Sequence, residues 1–308
     1  MYDLIIIGGG PAGVSAGVYA ARKRLKTLFI TADWGGQSIV SEDIQNWIGT
    51  PSIPGPKLAS DLRGHLESYA GDTLTVISSK TATGLLKNIA GTFETTLNDN
   101  TTHTSRTVLI ASGSGRRKLD VPGAAEFEHK GVTYCASCDG PLFSGQDVVV
   151  IGGGNAGFES AAQLLAYCKS VTMIHRHDTF KADAITVEKV LAHPNMRVIK
   201  NAAPTSVAGD KFVSSITYKN ALDQEVVLPT TGIFVEVGMI PNTTYAKDAV
   251  TLDDYGRVQI DPWTQATNTP GIWAAGDCTN VKYHQNNIAA GDAVKALEDI
   301  YIYLKTRA

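Results

Sequence analysis

The chain has 308 residues, 43% hydrophobic and 19% charged, with a formal net charge of -3. That is apolar material for two ordinary domains, and the near-neutral balance excludes the basic footprint of a nucleic-acid or anionic-membrane binder. Four cysteines exclude a disulfide-stapled scaffold, no stretch is long enough to span a bilayer, and no basic leader precedes the first aliphatic run, so a cytoplasmic location is expected.

Residues 4–7, an unbroken aliphatic run, read as a buried parallel strand. Gly8-Gly9-Gly10-Pro11-Ala12-Gly13 follows and opens an alanine-rich helix predicted to reach about Arg24, with a second strand over 26–30. A threonine-rich stretch over 73–107 shows apolar alternation (Val76, Ile77; Phe93, Thr95, Leu97) and, with Val108, Leu109 and Ile110, predicts antiparallel strands. Residues 112–118 are polar and turn-rich, a candidate linker. The strand, glycine and helix grammar then returns: a strand over 147–151, Gly152-Gly153-Gly154-Asn155-Ala156-Gly157, a helix over 158–167 and a strand over 170–174. This is an internal repeat of a βαβ mononucleotide unit. Residues 213–218 and 225–228 suggest a second small meander, and 242–247 a second candidate linker. A last helix over 286–305 follows Gly276-Asp277 with no Pro or Gly linker, which predicts that the C-terminal part packs back onto the first domain and leaves that domain discontinuous.

Each glycine fingerprint follows a strand and opens a helix, the context in which it signals a dinucleotide. The first glycine permits the turn, the second lets backbone approach a pyrophosphate, and the third lets helix and strand pack closely. A carboxylate for the ribose hydroxyl usually ends the second strand; here Thr31 stands there in the first unit and His175 in the second. After His175, Arg176 and Lys181 could hold a 2′-phosphate, although Asp178 lies among them and His177 is mostly neutral at pH 7. The alternative is a solvated strand-to-helix loop.

Between the fingerprints lies Cys135-Ala136-Ser137-Cys138-Asp139-Gly140. Zinc needs further ligands at similar spacing, and Cys168 and Cys278 stand alone. Two buried structural thiols are another reading. A dithiol that cycles with a disulfide needs this two-residue spacing. Asp139 reads either as a proton donor for a departing thiolate or as a helix N-cap, and the two are compatible. Cys168 reads as a small buried hydrophobe, and Cys278 is assigned no chemistry.

In order along the chain, GGGPAG at 8–13, GGQ at 35–37, QNW at 45–47, CASCDG at 135–140, GGGNAG at 152–157, EVGMIPN at 236–242, AAGD at 274–277 and YHQ at 283–285 match the low-molecular-weight thioredoxin reductases. The chain resembles that family over nearly all its length. The resemblance implies an α/β fold of two Rossmann-like, three-layer dinucleotide-binding domains, each with a small antiparallel β-meander. The FAD domain would take residues 1–112 and 247–308, and the central NAD(P)H-binding-like domain, carrying the dithiol, residues 117–243. It implies that Gly8, Gly10, Pro11, Ala12 and Gly13 hold the FAD pyrophosphate, with Thr31 at the ribose end, Gly36 and Gln37 along the groove and Asn46 facing the flavin. Asp277 would take the ribitol hydroxyl and Gln285 the pyrimidine edge. Cys138 would lie next to the flavin, Cys135 would attack the disulfide of thioredoxin, and Asp139 would handle the proton. A homodimer, and a central domain that turns during turnover, are implied in the same way.

The departures from that family lie mainly around the second fingerprint. GGGDSA becomes GGGNAG, HRRxxxR becomes HRHDTFK, and GHxPN becomes Gly238-Met239-Ile240-Pro241-Asn242; Trp34 also replaces a polar residue before the groove glycines. The NAD(P)H site would then be a degenerate one made of Gly152, Gly154, Asn155, Gly157, Arg176, His177 and Lys181. The expectation is a FAD-dependent disulfide reductase of thioredoxin in which NADPH use is weak or lost and ferredoxin is a candidate donor. An ordinary NADPH- or NADH-dependent thioredoxin or peroxiredoxin reductase, a dithiol oxidase that uses oxygen, and a non-catalytic flavin scaffold are the alternatives.

Overall fold

The structure is a computed structural model that describes residues 1–41 and 43–306. The chain forms two compact units, Met1–Gly115 with Ile240–Ala308, and Arg116–Met239. The first passage between units falls inside the first candidate linker. The second falls ahead of residues 242–247, which belong to the first unit and hold a 3-10 turn, Thr244–Ala246.

The first unit opens with β1 (Tyr2–Ile7), α1 (Pro11–Arg22), β2 (Thr27–Thr31), α2 (Gly55–Glu67), β3 (Leu74–Ser78), β4 (Ala82–Lys87), β5 (Phe93–Leu97) and β6 (Thr102–Ile110). The sheet order is β3-β2-β1-β6-β5-β4. β3 pairs parallel with β2, which corrects the expectation of antiparallel strands from residue 73 onward: Val76 and Ile77 belong to the nucleotide-binding sheet. Only β4, β5 and the first half of β6 form the antiparallel meander. Alternation along β1 explains the layering. Leu4 and Ile6 face α1 and α2 with Phe29 and Leu109, while Ile5 and Ile7 face the meander with Leu28, Val108, Ile110, Leu85 and Phe93. Each such aliphatic side chain contributes about 1.5–3 kcal/mol by leaving water, so both faces of β1 need apolar residues.

β7 (Ser114–Arg116) leads into the second unit, which holds β8 (Val132–Thr133), α3 (Ala136–Asp139), β9 (Asp147–Ile151), α4 (Asn155–Leu164), β10 (Ser170–Ile174), α5 (Ala184–Leu191) and β11 (Met196–Ile199). β12 (Ala203–Gly209), β13 (Val213–Lys219) and β14 (Glu225–Pro229) form its antiparallel meander, and β15 (Gly232–Val235) returns to the parallel sheet, in order β11-β10-β9-β15-β8. The predicted meander lacked its first strand, β12. Val148, Val150, Met173 and Phe234 pack under α4, and Val149, Ile151, Ile233 and Val235 against the meander.

β16 (Met239–Pro241) pairs with β7 where the chain leaves the second unit. The first unit is then completed by β17 (Ile272–Ala274), which pairs parallel with β6, and by α6 (Asn286–Thr306). Ala289, Ala293, Ala296, Leu297 and Ile300 of α6 join the core that holds α1, and the first unit is discontinuous in sequence.

Candidate functional site

The two fingerprints share one geometry. Gly8 has φ +127° and Gly152 φ +120°. A Cβ on Gly8 would lie 2.1 Å from the carbonyl oxygen of Ala111, and one on Gly152 would lie 2.2 Å from that of Glu236. The third glycines behave alike: added Cβ atoms would fall 1.8 Å from the Gly8 oxygen at Gly13 and 2.0 Å from the Gly152 oxygen at Gly157. No residue but glycine fits these contacts, because the obstruction is backbone. The middle glycines differ, with 3.7 Å of free approach at Gly10 and 4.0 Å at Gly154. Both cap their helix in extended conformation, and neither helix has a side-chain cap or an acidic residue in its first turn. The first-turn N–H groups of both helices are thus left without a side-chain acceptor, the arrangement that suits a bound anion.

In the first unit Gly10 lies beside Gly36 (φ +61°), and Pro11 and Ala12 lie buried in the opening turn of α1. The Thr31 hydroxyl donates to the Asp33 carbonyl, closing the turn beneath Gly9. Trp34 stacks on Phe29 with centroids 5.6 Å apart and the Arg63 guanidinium over it, so it packs on the α1/α2 core as a groove-lining aromatic. Gln37 Nε2 donates to Asp277 Oδ2 at 3.3 Å and to Ser114 Oγ at 3.0 Å. Asn46 Nδ2 donates to Gln285 Oε1 at 3.2 Å. The fold thus joins residues 239 and 240 positions apart, and adds partners that no local sequence signal announced. Asn287 donates to the Asn46 carbonyl at 2.6 Å, Ser38 donates to Asn286 at 2.9 Å, and His284 Nδ1 lies 3.3 Å from Asp277 Oδ1.

Cys135 and Cys138 form a disulfide at the start of α3, with Cα atoms 5.3 Å apart. Cys135 is the N-cap: its carbonyl accepts from Asp139 N–H at 3.0 Å and its Sγ from Cys138 N–H at 3.2 Å. Asp139 makes no side-chain cap for the turn that follows, Gly140–Phe143. Its carboxylate accepts from the hydroxyl of Thr133, which sits two residues before Cys135 and was missed in the sequence. Helix α4 buttresses the motif through Gln163 Oε1, which accepts from Ser137 at 3.0 Å. Just beyond that helix, the Tyr167 hydroxyl donates to the Ala136 carbonyl at 3.4 Å and leaves no room for a side chain at Gly140. Cys168 and Cys278 are buried free thiols, pushed by burial up to about 11 and about 12. Among the described residues no group of three or more His, Cys, Asp or Glu could hold a metal ion, and no helix is long and apolar enough to cross a membrane.

At the second fingerprint, Asn155 Oδ1 accepts from Asp183 N–H at 2.8 Å, which ties the loop after β10 to the head of α4. His175 is buried under Gly153, its Nε2 3.0 Å from the Thr179 carbonyl. Arg176 and His177 are exposed, and Arg176 Nε–H donates to His177 Nε2 at 3.0 Å. An imidazole that accepts there is neutral. Desolvation, then the charges of Arg176, His175 and Lys181, hold His177 below the usual histidine value. Lys181 is exposed, with its backbone bridged to Gly154. The Ser160 hydroxyl of α4 donates to Glu236 Oε1 at 2.6 Å.

The model for the family described as "Pyridine nucleotide-disulphide oxidoreductase" matches residues 2–293. A NADH dehydrogenase of Bacillus subtilis is 38% identical over 304 residues, covering 98% of this chain and 58% of the relative. A component of the alkyl hydroperoxide reductase of Staphylococcus epidermidis is 39% identical over 304 residues, covering 98% and 59%. The chain thus spans less than two thirds of the length of these curated relatives. Among solved structures, a thioredoxin reductase from Streptococcus pyogenes is similar with a TM-score of 0.87, 33% identity and 99% of both chains covered. With its paired fingerprints and the disulfide between them, the chain belongs to the pyridine nucleotide-disulphide oxidoreductase family.

Proposed function

We propose that this chain is a FAD-dependent disulfide reductase that passes electrons through Cys135 and Cys138 to a thioredoxin-type partner. The observation that carries the reading is the Cys135–Cys138 disulfide in a chain with two equally built dinucleotide fingerprints. Gly8, Gly10, Pro11, Ala12 and Gly13 would form the loop that holds the FAD pyrophosphate, Gly36 and Gln37 would line its groove, and Asn46, Asp277 and Gln285 would take the rest of the group. When bound, FAD supplies the two-electron relay between a nicotinamide donor and the disulfide.

Once the disulfide is reduced, the Cys135 thiolate attacks a sulfur of the partner disulfide, forming a mixed disulfide and releasing a partner thiolate. The Cys138 thiolate then attacks Cys135 Sγ, restores the intramolecular disulfide and frees the second partner sulfur. Asp139 lends or receives a proton at its carboxyl as these thiolates form and leave, and Thr133 holds that carboxyl in place.

The second fingerprint favours a nicotinamide dinucleotide as donor over ferredoxin, the candidate raised by the loop substitutions. Its backbone repeats the first within a few tenths of an ångström at each glycine contact that must be tight. The name of one relative, NADH dehydrogenase, supports the same reading. In the loop after β10 Arg176 is the sole guanidinium and His177 is neutral, which argues for NADH at least as readily as NADPH. Anaerobic stopped-flow mixing of the flavin-loaded protein with NADH, and separately with NADPH, tests this through the visible flavin band. Rapid bleaching by NADH is expected. Bleaching by neither, with reduced ferredoxin still opening the disulfide, overturns the donor assignment in favour of a one-electron protein.

A further inference from the structure

The internal repeat supplies its own control for one half-buried side chain, Glu236. The β1 and β9 strands superpose by pairing: Ala111 N–H donates to the Ile7 carbonyl at 2.9 Å, and Glu236 N–H donates to the Ile151 carbonyl at 2.8 Å. Ala111 and Glu236 are thus the same position in the two copies, as are Ala16 on α1 and Ser160 on α4, each the third residue after the last glycine of its fingerprint. The first copy puts two methyl groups there, both buried. The second puts a carboxyl and a hydroxyl, hydrogen-bonded at 2.6 Å. A parallel sheet under a glycine fingerprint needs no charge at this position, as the first copy demonstrates, and burying one is unfavourable. The carboxyl also lies on the same side of the sheet as α4, whose N-terminus would receive a dianionic pyrophosphate.

We propose that Glu236 couples dinucleotide binding at the second fingerprint to uptake of a proton: its carboxylate is protonated from solvent as the pyrophosphate arrives, and the proton is released when the nucleotide leaves. The inference rests on the reading of that fingerprint as a dinucleotide site. Burial and three neighbouring groups set the balance. Burial raises the pKa of Glu236, the Ser160 hydroxyl and the charge of Arg116 lower it, and the charge of Glu159 raises it again. Burial dominates, so the group starts raised, and a second anion a turn or two of helix away raises it further. The sign follows: the protonated form binds better, and affinity falls as pH rises through the free and then the bound value. If the two differ by about one unit, the dissociation constant weakens by about tenfold across the window.

The test is calorimetric titration of the flavin-loaded full chain with ADP-ribose, which carries the pyrophosphate and reduces nothing. It is run in buffers of different ionisation heat from pH 4 to pH 9, so that the range starts at the ordinary glutamate value and extends upward in the direction of the shift. The wild type should take up a fraction of a proton and weaken by about tenfold over the range. Glu236→Gln, which mimics the protonated form, should take up none and bind at every pH as the wild type does at low pH. Ser160→Ala removes the hydroxyl that favours the carboxylate and should move the window to higher pH. Equal pH profiles and equal proton counts in wild type and Glu236→Gln overturn the coupling. Failure of ADP-ribose to bind either protein at any pH overturns the dinucleotide reading itself, and the coupling with it.

Discussion

The contrast between the third and second glycines of a fingerprint separates fold from cofactor binding. In Gly13→Ala the new Cβ would lie 1.8 Å from the Gly8 carbonyl oxygen, whereas real Cβ contacts stay beyond 3.0 Å, so α1 and the β1 loop must part. The parting is roughly 1 Å, and overpacking of this kind costs about 1–3 kcal/mol, with a backbone obstruction at the upper end. For a protein of this size 2–3 kcal/mol lowers the melting midpoint by roughly 4–12 °C. Gly10→Ala meets nothing closer than 3.7 Å and keeps an extended backbone, so it should melt with the wild type. Its methyl group, however, points toward Gly36, and should weaken FAD by at least about tenfold, or ~1.4 kcal/mol. Circular dichroism melts of the apoproteins and fluorescence titration with FAD read the two effects separately. A Gly13→Ala apoprotein as stable as the wild type, or a Gly10→Ala protein with undiminished affinity, refutes the assignment of these two roles.

Thiol accounting gives a second check: oxidised native protein should present no reactive cysteine, reduction should expose two, and denaturation the remaining Cys168 and Cys278. A reactive thiol in the oxidised native state contradicts the buried placement of those two. His177→Arg should raise the NADPH-to-NADH ratio of kcat/KM by about tenfold, the worth of one charge-assisted hydrogen bond of ~1.4 kcal/mol or more; an unchanged ratio means the loop does not touch the 2′-position. Folding raises the pKa of Glu236, so the folded state holds its proton more tightly than the unfolded chain does. The wild type should therefore lose stability relative to Glu236→Gln as pH climbs from the unfolded value near ~4.3 through the folded one. Thermal melts that keep a constant gap from pH 4 to pH 8 contradict that.

The βαβ repeat was readable because it is written in consecutive residues: an aliphatic run, spaced glycines, a helix. The direction of β3 was not, since apolar alternation over Val76 and Ile77 is the same for a parallel edge strand as for a hairpin. Local spacing pointed to Cys135 and Cys138, and Thr133, two residues ahead, could have been added on the same grounds. Gln37, Asp277, Asn46 and Gln285 were reached only singly and through resemblance, because no periodicity links positions so far apart; their pairing came from the fold. Glu236 carried no signal of its own within a short match; its meaning came from setting the second copy on the first and finding Ala111 in its place.

The interrupted first unit also dictates an order of events during synthesis. Residues 116–239 are contiguous and can close around their own core as soon as they clear the ribosome. The N-terminal sheet has to wait, with the β6 edge that receives β17 unpaired and the α1 face that receives α6 uncovered. At about 5–20 residues per second the wait from residue 116 to residue 306 lasts roughly 10–40 s. Throughout that interval an aliphatic surface stays open to chaperones and to neighbouring nascent chains.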